Sequence, residues 1–233
     1  MLEVKDLYVG YYKDLNILQG VSITAQKAKI TTILGANGVG KSTLLKAIYG
    51  FLKPNAGEVL LEGRSLLGVP THKRIDMGIS YIPQQPGIFR WMTVEENLEL
   101  GAWTFRKDKA RIRRKLEENY ERFPALKNRR QSKAGELSGG MQRMVEVGRT
   151  LMTDPKVILV DEPTAGLAKL LSEEVYQMLT QLRDEEGITI VLVDQEIRQA
   201  LKIADYVYVL ELGRNRFEGP VEEFTDLKKA FWV

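Results

Sequence analysis

The sequence predicts an α/β protein whose mainly parallel sheet is covered by helices on both faces. Three observations point there. Runs such as "ITTILGA", "VILVDE" and "ITIVLV" are short and apolar at nearly every position, as strands buried on both faces are. Segments of helical period stand between those runs, which is how consecutive parallel strands are joined. Two of the runs end in acidic or amide residues, so their tips should emerge somewhere wet.

Taken in order, "LEVKDLYVGYY" and "GVSITAQ" read as two strands, with a polar turn around Lys13 to Asn16 between them. "ITTILGA" is a third strand that enters a glycine-rich turn, and the helical "KSTLLKAIYGF" follows. "PNAG" marks a turn before the strand "EVLLEG", and "ISYIP" is another strand. The pattern becomes helical from Thr93. In "FRKDKARIRRKLEENYERF", Ile112, Leu116, Tyr120 and Phe123 recur at spacings of three and four, so they share one helix face. The basic half of that stretch reads as a solvated face. A helix follows Ser138, then the strand "VILVDE", a helix from about Lys169 to Glu186, and the strand ending "VDQE". "YVYVLELG" and "NRFEG" close as a hairpin. The helix-rich region from about 84 to 153 looks like an insertion into one domain spanning 1–233.

Composition narrows the function. The chain has 233 residues, 44% apolar and 28% charged, enough for a sizeable core. It contains no cysteine, which excludes disulfides and thiolate metal sites and leans towards a reducing, intracellular compartment. A net charge of +3 is too slight to argue for nucleic acid, and no nucleic-acid partner is expected. The N-terminal "LEVKDLYV" lacks the regions of a signal peptide, and no apolar run reaches the length of a membrane span. His72, the one histidine, lies in "VPTHKR", a loop or helix start, and reads as a surface residue.

Two stretches carry chemistry on their own terms. "GANGVGKS", Gly35 to Ser42, has the spacing G-x4-G-K-S between a strand and a helix. Small residues let backbone N–H groups turn inward around a polyphosphate, and the helix N-terminus adds its positive end. Gly35, Asn37, Gly38, Gly40, Lys41, Ser42 and Thr43 are therefore candidate nucleotide ligands. Lys41 would reach the β- and γ-phosphates, and the Ser42 hydroxyl would ligate Mg2+. "VILVDEP" is the second half such a site needs. Asp161, at the end of a buried strand, would hold Mg2+ through water, and Glu162 would polarise an attacking water. Two acids at a strand end with no chemistry are the alternative, and the phosphate loop argues against it.

A third stretch, "LSGGMQ" (Leu137 to Gln142), sets Ser-Gly-Gly at a helix start, a second cradle for an anion. Together with the phosphate loop and "VILVDEP", it resembles the signature of ABC-type ATPases, over essentially the whole chain. The resemblance implies a RecA-like P-loop NTPase core, an N-terminal antiparallel β subdomain and an inserted helical subdomain. It implies Mg-dependent ATP hydrolysis by two subunits paired head to tail, with Ser138, Gly139, Gly140 and Gln142 serving the partner's nucleotide. Tyr11 matches the aromatic that stacks on adenine, with Tyr12 or a plain core role as alternatives. Gln84 matches the glutamine that senses Mg2+ and the attacking water, with Gln85 its rival. Phe89, Trp91 and Met92 fall where the family docks a membrane permease, or else belong to the helical core.

The chain departs from the common pattern twice. Ala168 stands where most members carry an aspartate, and Gln195 stands where most carry a histidine that meets the γ-phosphate. An amide there can donate a hydrogen bond but cannot titrate. These features, with "QALKIADYVYVLELG" and a short C-terminal tail, are similar to the ATP-binding subunits of branched-chain amino acid importers and their urea and amide relatives. The expected role is that of a peripheral ATPase subunit on the cytoplasmic face of the membrane, bound to permease subunits and to a like or different ATPase subunit. The alternative is a soluble family member acting in assembly, repair or translation.

Overall fold

A computed structural model describes residues 1–12 and 15–224; of the turn expected around Lys13 to Asn16, Lys13 and Asp14 lie outside the described residues, as does the C-terminal tail beyond Phe224. Ten strands and eight helices are described, with two single turns of 3-10 helix at Trp103–Phe105 and Ala134–Glu136. Strands β1 (Leu2–Val9), β2 (Leu18–Ala25), β4 (Ala56–Leu61) and β5 (Arg64–Ser65) form an antiparallel sheet in the order β2-β1-β4-β5. The main sheet takes β3 (Ile30–Leu34), β6 (Ile79–Ile82), β7 (Val157–Asp161), β8 (Thr189–Val193), β9 (Tyr206–Glu211) and β10 (Arg214–Pro220), in the order β10-β9-β3-β8-β7-β6. Its pairs are parallel except the β9–β10 hairpin.

The apolar strands are buried on both faces because successive side chains feed different cores. Val157 and Leu159 of β7, with Val191 and Val193 of β8, join the core shared with the antiparallel sheet and helix α1 (Lys41–Tyr49). Ile158, Val160, Ile190 and Leu192 point the other way. There they meet α7 (Lys169–Glu186) and the helices between β6 and β7: α3 (Val94–Leu100), α4 (Lys109–Arg122), α5 (Pro124–Asn128) and α6 (Gly139–Leu151). Ile112, Leu116, Tyr120 and Phe123 are all buried in this second core, on the expected face.

Local rules set the helix ends. Thr93 and Glu96 form a reciprocal capping box at the start of α3. Gly187 ends α7 in the left-handed conformation. The "THKR" stretch forms the short helix α2 (Thr71–Asp76), whose exposed side carries His72. Helix α8 (Ile197–Ile203) follows β8 after a three-residue turn.

Register positions the site. Ile33 of β3 lies beside Val193 of β8, which lies beside Asp161 of β7, while Ile82 of β6 pairs with Val160. Four strand ends therefore finish level. The segments starting at Gly35, Glu162, Asp194 and Pro83 leave the same edge of the sheet, the carboxyl edge where α/β proteins bind ligands.

Candidate active site

The phosphate loop enters α1 through Gly38 (φ 83°) and Gly40 (φ 107°). A Cβ at Gly40 would lie 2.5 Å from Leu18 Cδ2, whereas one at Gly38 would meet nothing within 4 Å. Gly40 is thus required by a close approach, and Gly38 by its left-handed backbone. No side chain caps the start of α1, so the first-turn N–H groups have no side-chain acceptor. Lys41 is buried; its Nζ donates to the carbonyls of Gly35 (2.9 Å) and Ala36 (3.0 Å) and lies 4.0 Å from Glu162 Oε1. The ammonium is thereby fixed at the centre of the loop.

Asp161 is shared by two hydroxyls. Ser42 Oγ donates to Oδ1 at 2.8 Å, and Tyr81 Oη donates to Oδ2 at 2.9 Å. Burial first, then the Asp161 charge, pushes the Tyr81 phenol far above its ordinary range, so it stays a donor. Glu162 has φ 42°, unusual for a residue with a side chain, and its N–H donates to Val193 O at 2.7 Å. Backbone strain of this kind gathers at functional sites. Two side-chain amides arrive on one oxygen of it: Gln84 Nε2 donates to Glu162 Oε2 at 2.8 Å, and Gln195 Nε2 donates to the same atom. Burial raises the Glu162 carboxyl above its usual range, against the opposing pull of the Gln195 hydrogen bond and the Lys41 charge.

The tip of "ITIVLVDQE" divides into two roles. Its first acid does not emerge into water as expected. Asp194 is 2% exposed. Oδ1 accepts the N–H groups of Gln195 (2.7 Å) and Glu196 (2.9 Å), and Oδ2 accepts Tyr176 Oη at 2.9 Å. Thr164 Oγ1, 3.3 Å from Tyr176 Oη, ties in the loop after Glu162. A polar side chain at the end of a buried strand needs partners, and here they come from the turn itself and from α7. Gln195 is exposed and turns back to Glu162. The tips of β7 and β8 thus meet through this amide–carboxylate contact.

Other candidates sit apart. Ser138 caps α6, its Oγ accepting Met141 N–H at 3.4 Å, and Gln142 Nε2 donates to Leu137 O at 2.9 Å. Gly139 and Gly140 face Leu167, just before α7, and Leu171, in its first turn, closely enough that a Cβ would lie 3.1 and 2.8 Å from their methyl groups. Ala168 caps α7 without any side-chain hydrogen bond. Tyr11 (53% exposed) and Tyr12 (76%) lie in the loop between β1 and β2, so neither is core. That loop returns through Ile17 and Leu18 against Gly40, beside the phosphate loop. Gln84 rather than Gln85 reaches Glu162. Phe89 (54%) and Trp91 (86%) are exposed and Met92 half-buried.

Tyr81, Tyr176, Thr164, Asp194 and the buried Arg143–Glu146 pair are the working neighbours that sequence reasoning missed. One signal was available: a tyrosine in the strand "ISYI", paired with Leu159 two positions short of Asp161.

Known proteins resemble this chain in sequence and fold. Residues 18–165 match the family model described as ABC transporter. The chain is 41% identical over 204 residues to the high-affinity branched-chain amino acid transport ATP-binding protein BraG of Pseudomonas aeruginosa, covering 88% of this chain and 86% of that one. It is 38% identical over 229 residues to the probable branched-chain amino acid transport ATP-binding protein LivF of Archaeoglobus fulgidus, covering 98% and 96%. Among solved structures, a nucleotide-free ATP-binding cassette from an ABC transporter superposes with a TM-score of 0.87 at 33% identity, covering 98% of this chain and 95% of that one. A dimeric ATP-binding cassette bound to ADP and Pi gives 0.81 at 26% identity, covering 95% and 99%. With a phosphate loop, an acidic strand tip and the Ser-Gly-Gly helix start on the ABC ATPase fold, the chain belongs to the ABC transporter family as an ATP-binding, ATP-hydrolysing subunit.

Proposed function

We propose that this chain binds Mg-ATP at the phosphate loop and hydrolyses it with Glu162 polarising the attacking water, driving import of branched-chain or related amino acids. The observation that carries the reading is the convergence on Glu162: two amides hold Oε2, and Oε1 faces Lys41 at 4.0 Å. A carboxylate so held can accept a proton from water without reorienting, and positioning of this kind supplies much of the rate in phosphoryl transfer. Lys41 and the loop N–H groups offset charge on the transferred phosphate.

Ser42 Oγ and Asp161 Oδ1 form a pair of hard oxygen donors beside the loop, which fits Mg2+, an ion that completes its shell with water and phosphate oxygens. When bound, Mg2+ neutralises charge on the β- and γ-phosphates. Gln84 lies near enough to sense that site through Glu162. Tyr11 stacks on adenine, and Asn37 and Thr43 complete the nucleotide contacts.

Ser138, Gly139, Gly140 and Gln142 act on the nucleotide of a second ATP-binding subunit, paired head to tail. Their contacts within this chain are to their own helix and to the start of α7, which supports a role outward. Residues of about 84–153 serve as the helical subdomain of a single domain. Phe89, Trp91 and Met92 dock an integral membrane permease on the cytoplasmic face; among the described residues no helix is long and apolar enough to cross a membrane, so the association is peripheral. The relatives' names support the solute class.

Glu162→Gln tests the chemistry. The variant should bind ATP normally and lose roughly 100-fold or more of its turnover, the usual scale for removing a general base. Phosphate release and fluorescent-nucleotide binding measure the two. Turnover at the wild-type rate removes Glu162 from the role. Co-purification of a multi-span membrane protein with the tagged chain tests the transport assignment; a soluble partner alone would contradict it.

A further inference from the structure

The Arg143–Glu146 pair is a charged cluster that the mechanism above does not use. Both residues are 1% exposed, on α6, five residues or more beyond the Ser138 cap. Arg143 Nη1 donates to Glu146 Oε2 at 2.5 Å and to Pro83 O at 2.9 Å, and Nη2 donates to Gln84 O at 2.7 Å. Glu146 Oε1 accepts Gly87 N–H at 2.7 Å. Three backbone groups of the segment carrying Gln84 are thus bonded to one helix. Arg143 Nε has no hydrogen-bond partner among the described residues. A buried ion pair with an orphaned donor is a poor device for stability, since desolvation offsets most of its attraction and apolar residues would pack there as well. Holding a geometry is what such a pair does well.

We propose that Arg143 and Glu146 are positioning residues for hydrolysis, clamping the backbone of Pro83, Gln84 and Gly87 to α6 so that the Gln84 amide reaches Glu162. Asn97 of α3 extends the brace: its side chain accepts Phe89 N–H at 2.8 Å and donates to Phe89 O at 2.9 Å. The inference rests on the proposed roles of Gln84 and Glu162.

The test is a double-mutant cycle on the purified chain with Mg-ATP. Arg143→Lys keeps the charge but cannot span three acceptors. It should lower kcat about three- to tenfold, with KM for ATP within about twofold. Gln84→Ala should lower kcat as well, and adding Arg143→Lys to it should cause no further fall, because residues acting through one another are not additive. Unchanged kcat in Arg143→Lys, or effects that multiply in the double variant, overturns the clamp. Should Arg143→Lys fail to fold, Glu146→Gln replaces it. That variant keeps an acceptor for Gly87 N–H and loses the charge facing Arg143, and the same cycle decides. Glu162→Gln distinguishes the layers: turnover retained there refutes the active site itself, whereas a dead Glu162→Gln with a multiplicative cycle refutes only the clamp.

Discussion

Gln195 is where one side chain changes the chemistry. Its amide donates to Glu162 Oε2, and a hydrogen bond to a charged group is worth about 1.5–3 kcal/mol. If that contact is held in the transition state, Gln195→Ala lowers kcat about ten- to a hundredfold. The bond favours the ionised carboxylate, so losing it raises the Glu162 pKa further. The acid limb of kcat against pH therefore moves to higher pH in the variant, and an unmoved limb with an unchanged rate would remove Gln195 from the site. Asp194, its neighbour, acts on stability. Burial is the main cause holding its carboxyl above the ordinary 3.8, against three hydrogen bonds that pull it down. The folded state then binds the proton more tightly than the unfolded chain, so stability is lost as pH rises from 3.8 through the raised value. Asp194→Asn keeps an acceptor for the turn and carries no charge. Its stability relative to wild type should improve as pH rises above about 4 in denaturant titrations; a constant difference contradicts the burial argument.

Between elements, the junction of α1 and α2 depends on Arg74. This side chain is 4% exposed and donates to Val69 O (3.0 Å), Ala47 O (3.2 Å), Ile48 O (2.5 Å) and Leu66 O (2.7 Å). It satisfies the Ile48 carbonyl at the end of α1 and shares the Ala47 carbonyl with Gly50 N–H, and its charge suits that end of the dipole. Arg74→Met should cost about 2–4 kcal/mol by leaving the Ile48 and Val69 carbonyls without a donor. Chemical denaturation would show a lower midpoint at unchanged slope. A loss below about 0.5 kcal/mol would mean that water reaches those carbonyls. The sequence "VPTHKR" offered only a loop or helix start, because nothing local says that its arginine faces inward. The α4 face was legible by contrast, since the 3.6-residue period writes a buried stripe directly into the order of residues.

At the scale of the molecule, the candidate residues fall into two groups. Lys41, Ser42, Gln84, Asp161, Glu162 and Gln195 are joined by direct contacts, whereas Ser138 to Gln142 bond within their own helix start. If the second group serves a partner, a Lys41→Ala protein mixed with a Ser138→Arg protein should regain activity. Each mixed dimer then holds one intact composite site and one doubly damaged site. ATPase above the sum of the separate variants, with mixed dimers verified by differential tags, is the expected result. Mixed dimers without restored activity would show that the signature works in its own chain or that both sites must be intact.

Motifs confined to a few consecutive residues were decided by the sequence alone. "GANGVGKS", "VILVDEP" and "LSGGMQ" each need only a strand end or a helix start, and those follow from local period and glycine placement. The same holds for the bounds of α7 and the β9–β10 hairpin. What only the tertiary structure decided are contacts between distant segments: the burial of Asp194 against Tyr176, the hydroxyl of Tyr81 on Asp161, the two amides on one oxygen of Glu162, and the Arg143–Glu146 clamp on Gln84. A polar residue at a strand tip or on a helix face is equally consistent with water or with a buried partner. The level ends of β3, β6, β7 and β8 settle which it is, because strand register sets which side chains lie within hydrogen-bond distance across the sheet.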